Sequence, residues 1–341
     1  MLKDTTLRPY YGLPPYKGDV GIEIEMEGEF LPTANSGSWH AKTDGSLRAG
    51  GIEYVTRGPI NKEDIEYVLG LLWSQFKKAG AVLKPSDRCG VHIHLNCQNY
   101  TFEEIWRIAT LSLMLEDILL EFCGEARNGN LFCLNTRDGS GLLLQLVQDR
   151  EAGGRFETLN SPGHFKYAFL NFSVLPMYGS LEYRSLQTEK DYDNILTWTE
   201  MILAIKDYAL SHDSLPHIIS NISMHGIDNF LLDIFGKKNA KILRETNPHY
   251  THIILENIRR IQILAYSKIK EPTEEAKTAN EMLLGLRDRA RPAGTAIRWS
   301  TGTATNDPWR EVDYDDDPPN LDDLDDEEEE EEQQDEDDGT F

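Results

Sequence analysis

Glu23, Glu25 and Glu27 alternate with Ile22, Ile24 and Met26 in the stretch from Asp19 to Phe30. Strict alternation marks a half-buried β-strand, because successive side chains leave a strand on opposite faces. The three carboxylates therefore share one face at spacings of about 7 Å. Like charges that close repel one another, and strands are ordinarily poor in Glu. A bound cation offsets that cost; the plainer alternative is an edge strand whose outer face is solvated. Farther on, Val91, Ile93 and Leu95 form an apolar face in Cys89–Asn96, which turns His92, His94 and Asn96 to the other side. Two histidines in strand alternation read as metal ligands or phosphate contacts. Leu181 and Tyr183 likewise leave Glu182 and Arg184 on a common face, a pairing that in isolation reads as a salt bridge, and Glu53 adds another acidic position within Ile52–Thr56. Carboxylates set together in this way suit a metal or other cationic site.

The elements that must position these residues follow from pattern. A strand over Trp39–Lys42 leads to a tight turn at Asp44-Gly45, and the strand Ile52–Thr56 stops at Gly58-Pro59. Asn61 is placed to cap a helix to Ala79 with Ile65, Val68, Leu69, Leu72 and Phe76 on one stripe. The capping box Thr101-Phe102-Glu103-Glu104 opens a long helix through Phe122 that covers one face of the sheet. From Arg127 to Gly163 the chain is Gly-rich and irregular apart from the apolar patch Leu142–Val147, which predicts a functional loop or lid whose Arg127, Asn128, Arg137 and Arg155 either meet an anionic substrate or are simply solvated. Strands are predicted at Lys166–Phe172 and Ser180–Ser185, on either side of a turn at Pro176–Gly179. Helices are predicted at Tyr192–Leu210, Ile227–Phe235 and His249–Ile269. The fold class expected is α+β, a mostly antiparallel sheet with helices packed on one face and the polar face lined by Glu23, Glu25, Glu53, His92, His94, Glu182 and Arg184.

At 341 residues the chain is long enough to bury a sizeable core. Its formal net charge of −24 is concentrated: Glu311–Asp338 holds nineteen Asp and Glu without Lys or Arg, leaving −5 for the rest. The body thus offers no basic field for direct nucleic-acid binding. Cys89, Cys97, Cys123 and Cys133 form no Cys-x-x-Cys pair and read as reduced, buried thiols. No apolar run is suited to a signal peptide or a membrane span, so a cytoplasmic protein is expected, in the host cytoplasm if virus-encoded. The division expected is a catalytic domain over 1–270 with a helical part from about 191, a linker over 271–310, and a disordered acidic tail over 311–341. The tail ends in Phe341 and either keeps the chain soluble or docks on a basic protein partner.

Gly-Ile-Glu-Ile-Glu, Thr-Asp-Gly-Ser-Leu, Ile-Glu-Tyr-Val-Thr, Cys-Gly-Val-His-Ile-His and Leu-Glu-Tyr-Arg occur in this order. The series resembles that of the amidoligases, glutamine synthetase-like carboxylate–amine ligases related to the glutamate–cysteine ligases, over about Gly18–His212. The resemblance implies a glutamine synthetase-like catalytic fold and ATP-dependent formation of an amide or isopeptide bond through an acyl phosphate. It implies Mg²⁺, or Mn²⁺ in its place, held by Glu23, Glu25, Glu53, His92 and Glu182, and ATP met by Lys42, His94 and Arg184. Arg184, Asp44 and Glu53 are the catalytic candidates: Arg184 would steady the transferring phosphoryl group, and Asp44 is either a base for the amine or a turn residue. The partners implied are small-molecule or peptide carboxylates and amines. Two other readings stay open on the residues alone. His92 and His94, with Cys89 or the carboxylates, suit a zinc-dependent hydrolase, although carboxylates outnumber imidazoles and no His-Glu-x-x-His element is present. The third is a non-catalytic structural or virion-associated protein that acts through its tail.

Overall fold

The computed structural model describes residues 5–48, 50–127, 130, 133–135, 141–152, 156, 159 and 166–266. Asn128, Arg137, Arg155, the expected linker and the acidic tail lie outside the described residues. The elements in chain order are α1 (Leu7–Tyr11), β1 (Val20–Met26), β2 (Gly28–Glu29), β3 (Trp39–Lys42), β4 (Ile52–Thr56), α2 (Ile65–Ala79), β5 (Val82–Leu83), β6 (Gly90–Asn96) and α3 (Phe102–Phe122). They continue with α4 (Leu142–Ala152), β7 (Leu170–Asn171), α5 (Leu175–Tyr178), β8 (Ser180–Gln187), α6 (Asp193–Leu210), α7 (Leu215–Thr246) and α8 (Tyr250–Tyr266).

Six strands form one antiparallel sheet in the order β3-β4-β1-β6-β8-β7, and β2 pairs separately with β5. The fold is α+β, as the pattern predicts. β1 lies inside the sheet between β4 and β6, so its glutamates do not belong to a solvated edge strand. The register sets Ile22 opposite Ile93, Ile24 between Tyr54 and Val91, and Val20 opposite Leu95, all buried. This apolar face is covered by α6 against β6 and α3 against β8, with α7 and α8 packed outside α3. Burial of so many Ile, Leu and Val side chains, each contributing about 1.5–3 kcal/mol, drives the packing and leaves the opposite sheet face free for polar groups.

Both sheet margins are finished. The outward amides of β3 are taken by side chains, Trp39 N donating to Ser36 Oγ (3.1 Å) and Ala41 N to Asn35 Oδ1 (2.9 Å). At the other margin β7 is only two residues long.

Several boundaries differ from expectation. The strand expected over Lys166–Phe172 shrinks to β7 because the preceding backbone bonds elsewhere: Leu134 N donates to Tyr167 O and Phe169 N to Leu134 O. The turn expected at Pro176–Gly179 is the short helix α5, closed by Gly179 at φ 67°. The irregular connection after Arg127 contains α4, pinned to α3 by the two-pronged pair between Arg150 and Glu103 (2.8 Å each). Arg127 itself does not meet solvent; it is buried and donates to the carbonyls of Arg184 (2.8 Å) and Asp87 (3.4 Å). Before α2 the chain makes a 3₁₀ turn over Lys62–Asp64, and the Asn61 side chain donates to Asp64 Oδ2 instead of capping the backbone. The helix expected over Ile227–Phe235 is the middle third of α7, which breaks at Gly226 and Gly236, both at positive φ. The expected capping box at Thr101 and Glu104 is present. Among the described residues no helix is long and apolar enough to cross a membrane.

Candidate active site

β1, β6 and β8 present their polar residues on the sheet face away from the helices. Glu23 stands directly opposite His92, and His94 directly opposite Glu182. His92 Nδ1 lies 3.3 Å from Glu23 Oε2 and 3.4 Å from Glu182 Oε1, while His92 Nε2 lies 4.0 Å from Glu25 Oε1. Glu25, His92 and Glu182 are buried. Among the described residues, Glu23, His92 and Glu182 are the only group of three such side chains whose ligand atoms all lie within 4.8 Å of one another.

Each member is held by a second contact. Glu182 Oε2 accepts from Asn171 Nδ2 at 2.6 Å, and the amide oxygen of Asn171 accepts from Ser173 N and Oγ. Glu25 Oε2 accepts from Gly90 N at 2.6 Å. His94 Nδ1 is 3.2 Å from Ser180 Oγ, and its buried Nε2 is 3.3 Å from Glu23 Oε1 yet outside hydrogen-bond geometry. Arg184 Nη1 donates to Glu182 Oε1, and its guanidinium lies 5.7 Å from the Tyr167 ring centre.

An irregularity in β8 aims Arg184. Val91 pairs with Leu186 and Ile93 with Tyr183, so Arg184 and Ser185 together oppose the single residue His92. Such a bulge bends the strand and redirects a side chain.

The electrostatics follow from this crowding. Burial works against charge on Glu23, but contacts with His92 and His94 outweigh it and hold the carboxyl far below its usual range. Burial likewise opposes charge on Glu182, and Arg184, then His94 and His92, pull its pKa down. His94 is desolvated too, yet Glu182 and Glu23 raise its pKa above the ordinary value. Glu23, Glu182 and His94 thus depend on charged neighbours for compensation, a condition that a divalent cation would relieve.

Not every expected residue joins this group. Glu53 is opposite Glu25 in the register, but it pairs with Lys42 at 2.9 Å and is outside the three-ligand cluster. Its pKa is raised, first by burial and then by Glu23, with Lys42 opposing. Asp44 Oδ1 accepts from Ser46 N and Ser46 Oγ, each at 2.7 Å, so it serves the turn. Cys89 is outside the three-ligand cluster, with Sγ 4.0 Å from Ser86 Oγ and a pKa pushed by burial up to about 11. All four cysteines are free and buried. Asn171 and Gly90 were not singled out by pattern; the only sequence signal for Gly90 is its place before the alternating histidines.

A cleft of about 200 Å³ adjoins the cluster, lined among others by Glu23, Lys42, Arg57, His94, Tyr16 and Tyr178. A larger hollow of about 760 Å³ runs along α2 past Tyr67 and Trp73, remote from these ligands.

The donor set fits a divalent metal. Adjacent ligands around an octahedral Mg²⁺ with bonds near 2.1 Å stand about 3 Å apart, close to the spacings at His92. Two carboxylates with one imidazole suit Mg²⁺ or Mn²⁺ better than thiolate-loving or imidazole-rich metals.

No curated protein matches the chain. Residues 51–206 match the model of the family described as "Putative amidoligase enzyme". That segment begins after β1 and ends within α6, and it brings β4, β6 and β8 with their site residues, while Glu23 and Glu25 precede it. The matched residues 51–206 carry Glu53, His92, His94, Glu182 and Arg184, so the similarity to the amidoligase family covers most of the site.

Proposed function

We propose that the protein joins a carboxylate to an amine in an ATP-dependent ligation that passes through an acyl phosphate. The observation that carries the reading is the meeting of Glu23, His92 and Glu182 beside the partly buried guanidinium of Arg184, within a chain whose residues 51–206 match an amidoligase family. Glu23, Glu182 and His92, with Glu25 adjoining, would hold Mg²⁺ or Mn²⁺; the ion, when bound, neutralises phosphate oxygens. Arg184 is held in place by Glu182 and by the Tyr167 ring, and it offers positive charge to the transferring phosphoryl group. Lys42, restrained by Glu53, adds a second cation in the adjoining cleft, and His94 presents a ring nitrogen without a hydrogen bond. The acid substrate enters through this cleft, because the cleft reaches the cluster at Glu23 and His94.

The test is ADP release by the full-length chain with ATP, Mg²⁺ or Mn²⁺, and panels of acids and amines, with products read by mass. Metal-dependent ADP release that requires both acid and amine supports the ligase. ATP left intact by every pair, together with stoichiometric zinc in the purified protein, would leave the zinc hydrolase as the better reading. Because every proposed site residue precedes residue 271, the same activity should survive deletion of residues 311–341.

A further inference from the structure

The mouth of the cleft is built from two tyrosines that a buried amide holds together. Gln98 is 1 % exposed; its Oε1 accepts from Tyr16 N at 3.1 Å, and its Nε2 donates to Tyr178 O at 3.1 Å. A segment before β1 and the end of α5 are thereby fixed against each other. A Cβ on Gly179 would come within 2.6 Å of Gln98 Cγ, and the backbone there has φ 67°, so both the shape of the chain and the path of Gln98 need glycine. The rings so placed are exposed, Tyr16 by 42 % and Tyr178 by 47 %, and their neighbour Met177 by 63 %. Tyr178 also meets the His94 ring edge-on at 5.8 Å, which ties the mouth to the cluster.

We propose that this mouth is a subsite for a carboxylate carried on a peptide. Three observations select that class. The cleft, at about 200 Å³, is smaller than the ~300 Å³ at which pockets begin to engulf a whole drug-sized ligand, so one acidic side chain enters and the rest of the substrate stays outside. Arg57 supplies the uncommitted positive charge in the lining, beside Lys42, which is paired with Glu53 at 2.9 Å; Arg57 Nε donates to Ser36 O at 2.7 Å, and its terminal nitrogens make no hydrogen bond or ion pair among the described residues. Glu23 is the single acid of that lining, and it faces His92 and His94. The α-ammonium of a free amino acid therefore finds no uncommitted counter-charge, whereas a peptide has neutral amide planes that lie against tyrosine faces. The subsite rests on the ligase reading for the fate of the carboxylate, not for its binding.

The experiment measures binding to the full chain without ATP. The probes are a library of N-acetylated, C-amidated hexapeptides with one central Glu or Asp, their Gln and Asn counterparts, and free glutamate, aspartate and succinate. Acidic capped peptides should bind at least tenfold tighter than the free acids and the amide counterparts. Tyr16→Ala at the surface and Gln98→Leu in the interior should each weaken peptide binding about tenfold, with melting temperature confirming that each variant folds. Free acids binding as tightly as the best peptide, or no capped acidic peptide binding, would overturn the proposal. Peptide binding without any ATP-dependent product would uphold the subsite while removing the ligase reading.

Discussion

Glu23 and Glu182 stand on strands that are not neighbours, with β6 between them, and their carboxylates meet over one nitrogen of His92, at 3.3 and 3.4 Å. The His92 N–H hydrogen-bonds Glu23, and Glu182 accepts from Asn171 and Arg184; the proposed cation would bring both carboxylates to one centre. Glu23→Gln keeps the volume and removes a charge. It should weaken Mn²⁺ binding, followed by calorimetry, by about 10² or more, since even outer-shell losses cost 10- to 100-fold. Equal Mn²⁺ affinity in the variant and the parent would exclude Glu23 as a ligand.

Asn171 should matter as a positioning residue. Asn171→Leu removes the donor to Glu182 Oε2, leaving a buried carboxylate oxygen unpaired at a cost of about 1–3 kcal/mol. Metal affinity should drop about 10- to 100-fold while the chain stays folded. Asn171→Asp should be worse than Leu, because it sets a like charge against Glu182. If both variants bind metal as the parent does, Glu182 needs no such anchor.

In metal-free protein the paired charges give stability two pH limits. His94 has its pKa raised on folding, against burial, by Glu182 and Glu23. Its contribution is fully present below the unfolded value of 6.5 and is lost as pH rises through the folded value. Glu23 and Glu182 are shifted the other way, so theirs is present above 4.5 and lost as pH falls through their folded values. With chelator present, the melting temperature should therefore decline above pH 6.5, and His94→Gln should flatten that decline while keeping the acid limb. An alkaline decline of equal size in His94→Gln would assign it to another group.

Arg184→Lys preserves charge but loses the planar guanidinium, whose Nη1 donates to Glu182 and whose face lies over Tyr167. ATP turnover should fall by a factor of order 10², with Mn²⁺ binding changed far less. A variant that turns over at the parent rate would reduce Arg184 to a structural partner of Glu182.

Gly90 has a packing reason. A Cβ there would lie 2.9 Å from Arg127 Nη2 and 3.1 Å from Glu25 Oε2. Gly90→Ala should destabilise the fold by about 1–3 kcal/mol through overpacking and should displace Glu25 from the Gly90 amide. Denaturant unfolding checks the first effect and Mn²⁺ titration the second. A fully stable variant with parental metal affinity would show that Glu25 has room to move.

The alternation of Ile22, Glu23, Ile24 and Glu25, and of Val91, His92, Ile93 and His94, made the polar face legible, because a strand's period of two survives whatever it pairs with. The stripe of α2 and the capping box of α3 were legible for the same local reason. Features that need a partner strand were not. The bulge that sets Arg184 and Ser185 against His92 exists only relative to β6, and the pairing of Glu53 with Lys42 depends on the register of β3 on β4. Asn171 and Gln98 act through single amides whose contacts are remote in sequence, so no spacing announces them. α4 was hidden because glycines on both sides of Leu142–Ala152 read as loop, while its packing against α8 and its pair with Glu103 stabilise it from outside.

The Asn35 and Ser36 side chains that satisfy Ala41 and Trp39 give the sheet a closed hem. A strand from another molecule approaching that side meets amides already spoken for and would first have to strip off the 32–38 connection. Edge strands left open are templates for ribbon-like aggregation. Here the chain can carry a polar, acid-lined sheet face without also offering this margin as a seed for fibres.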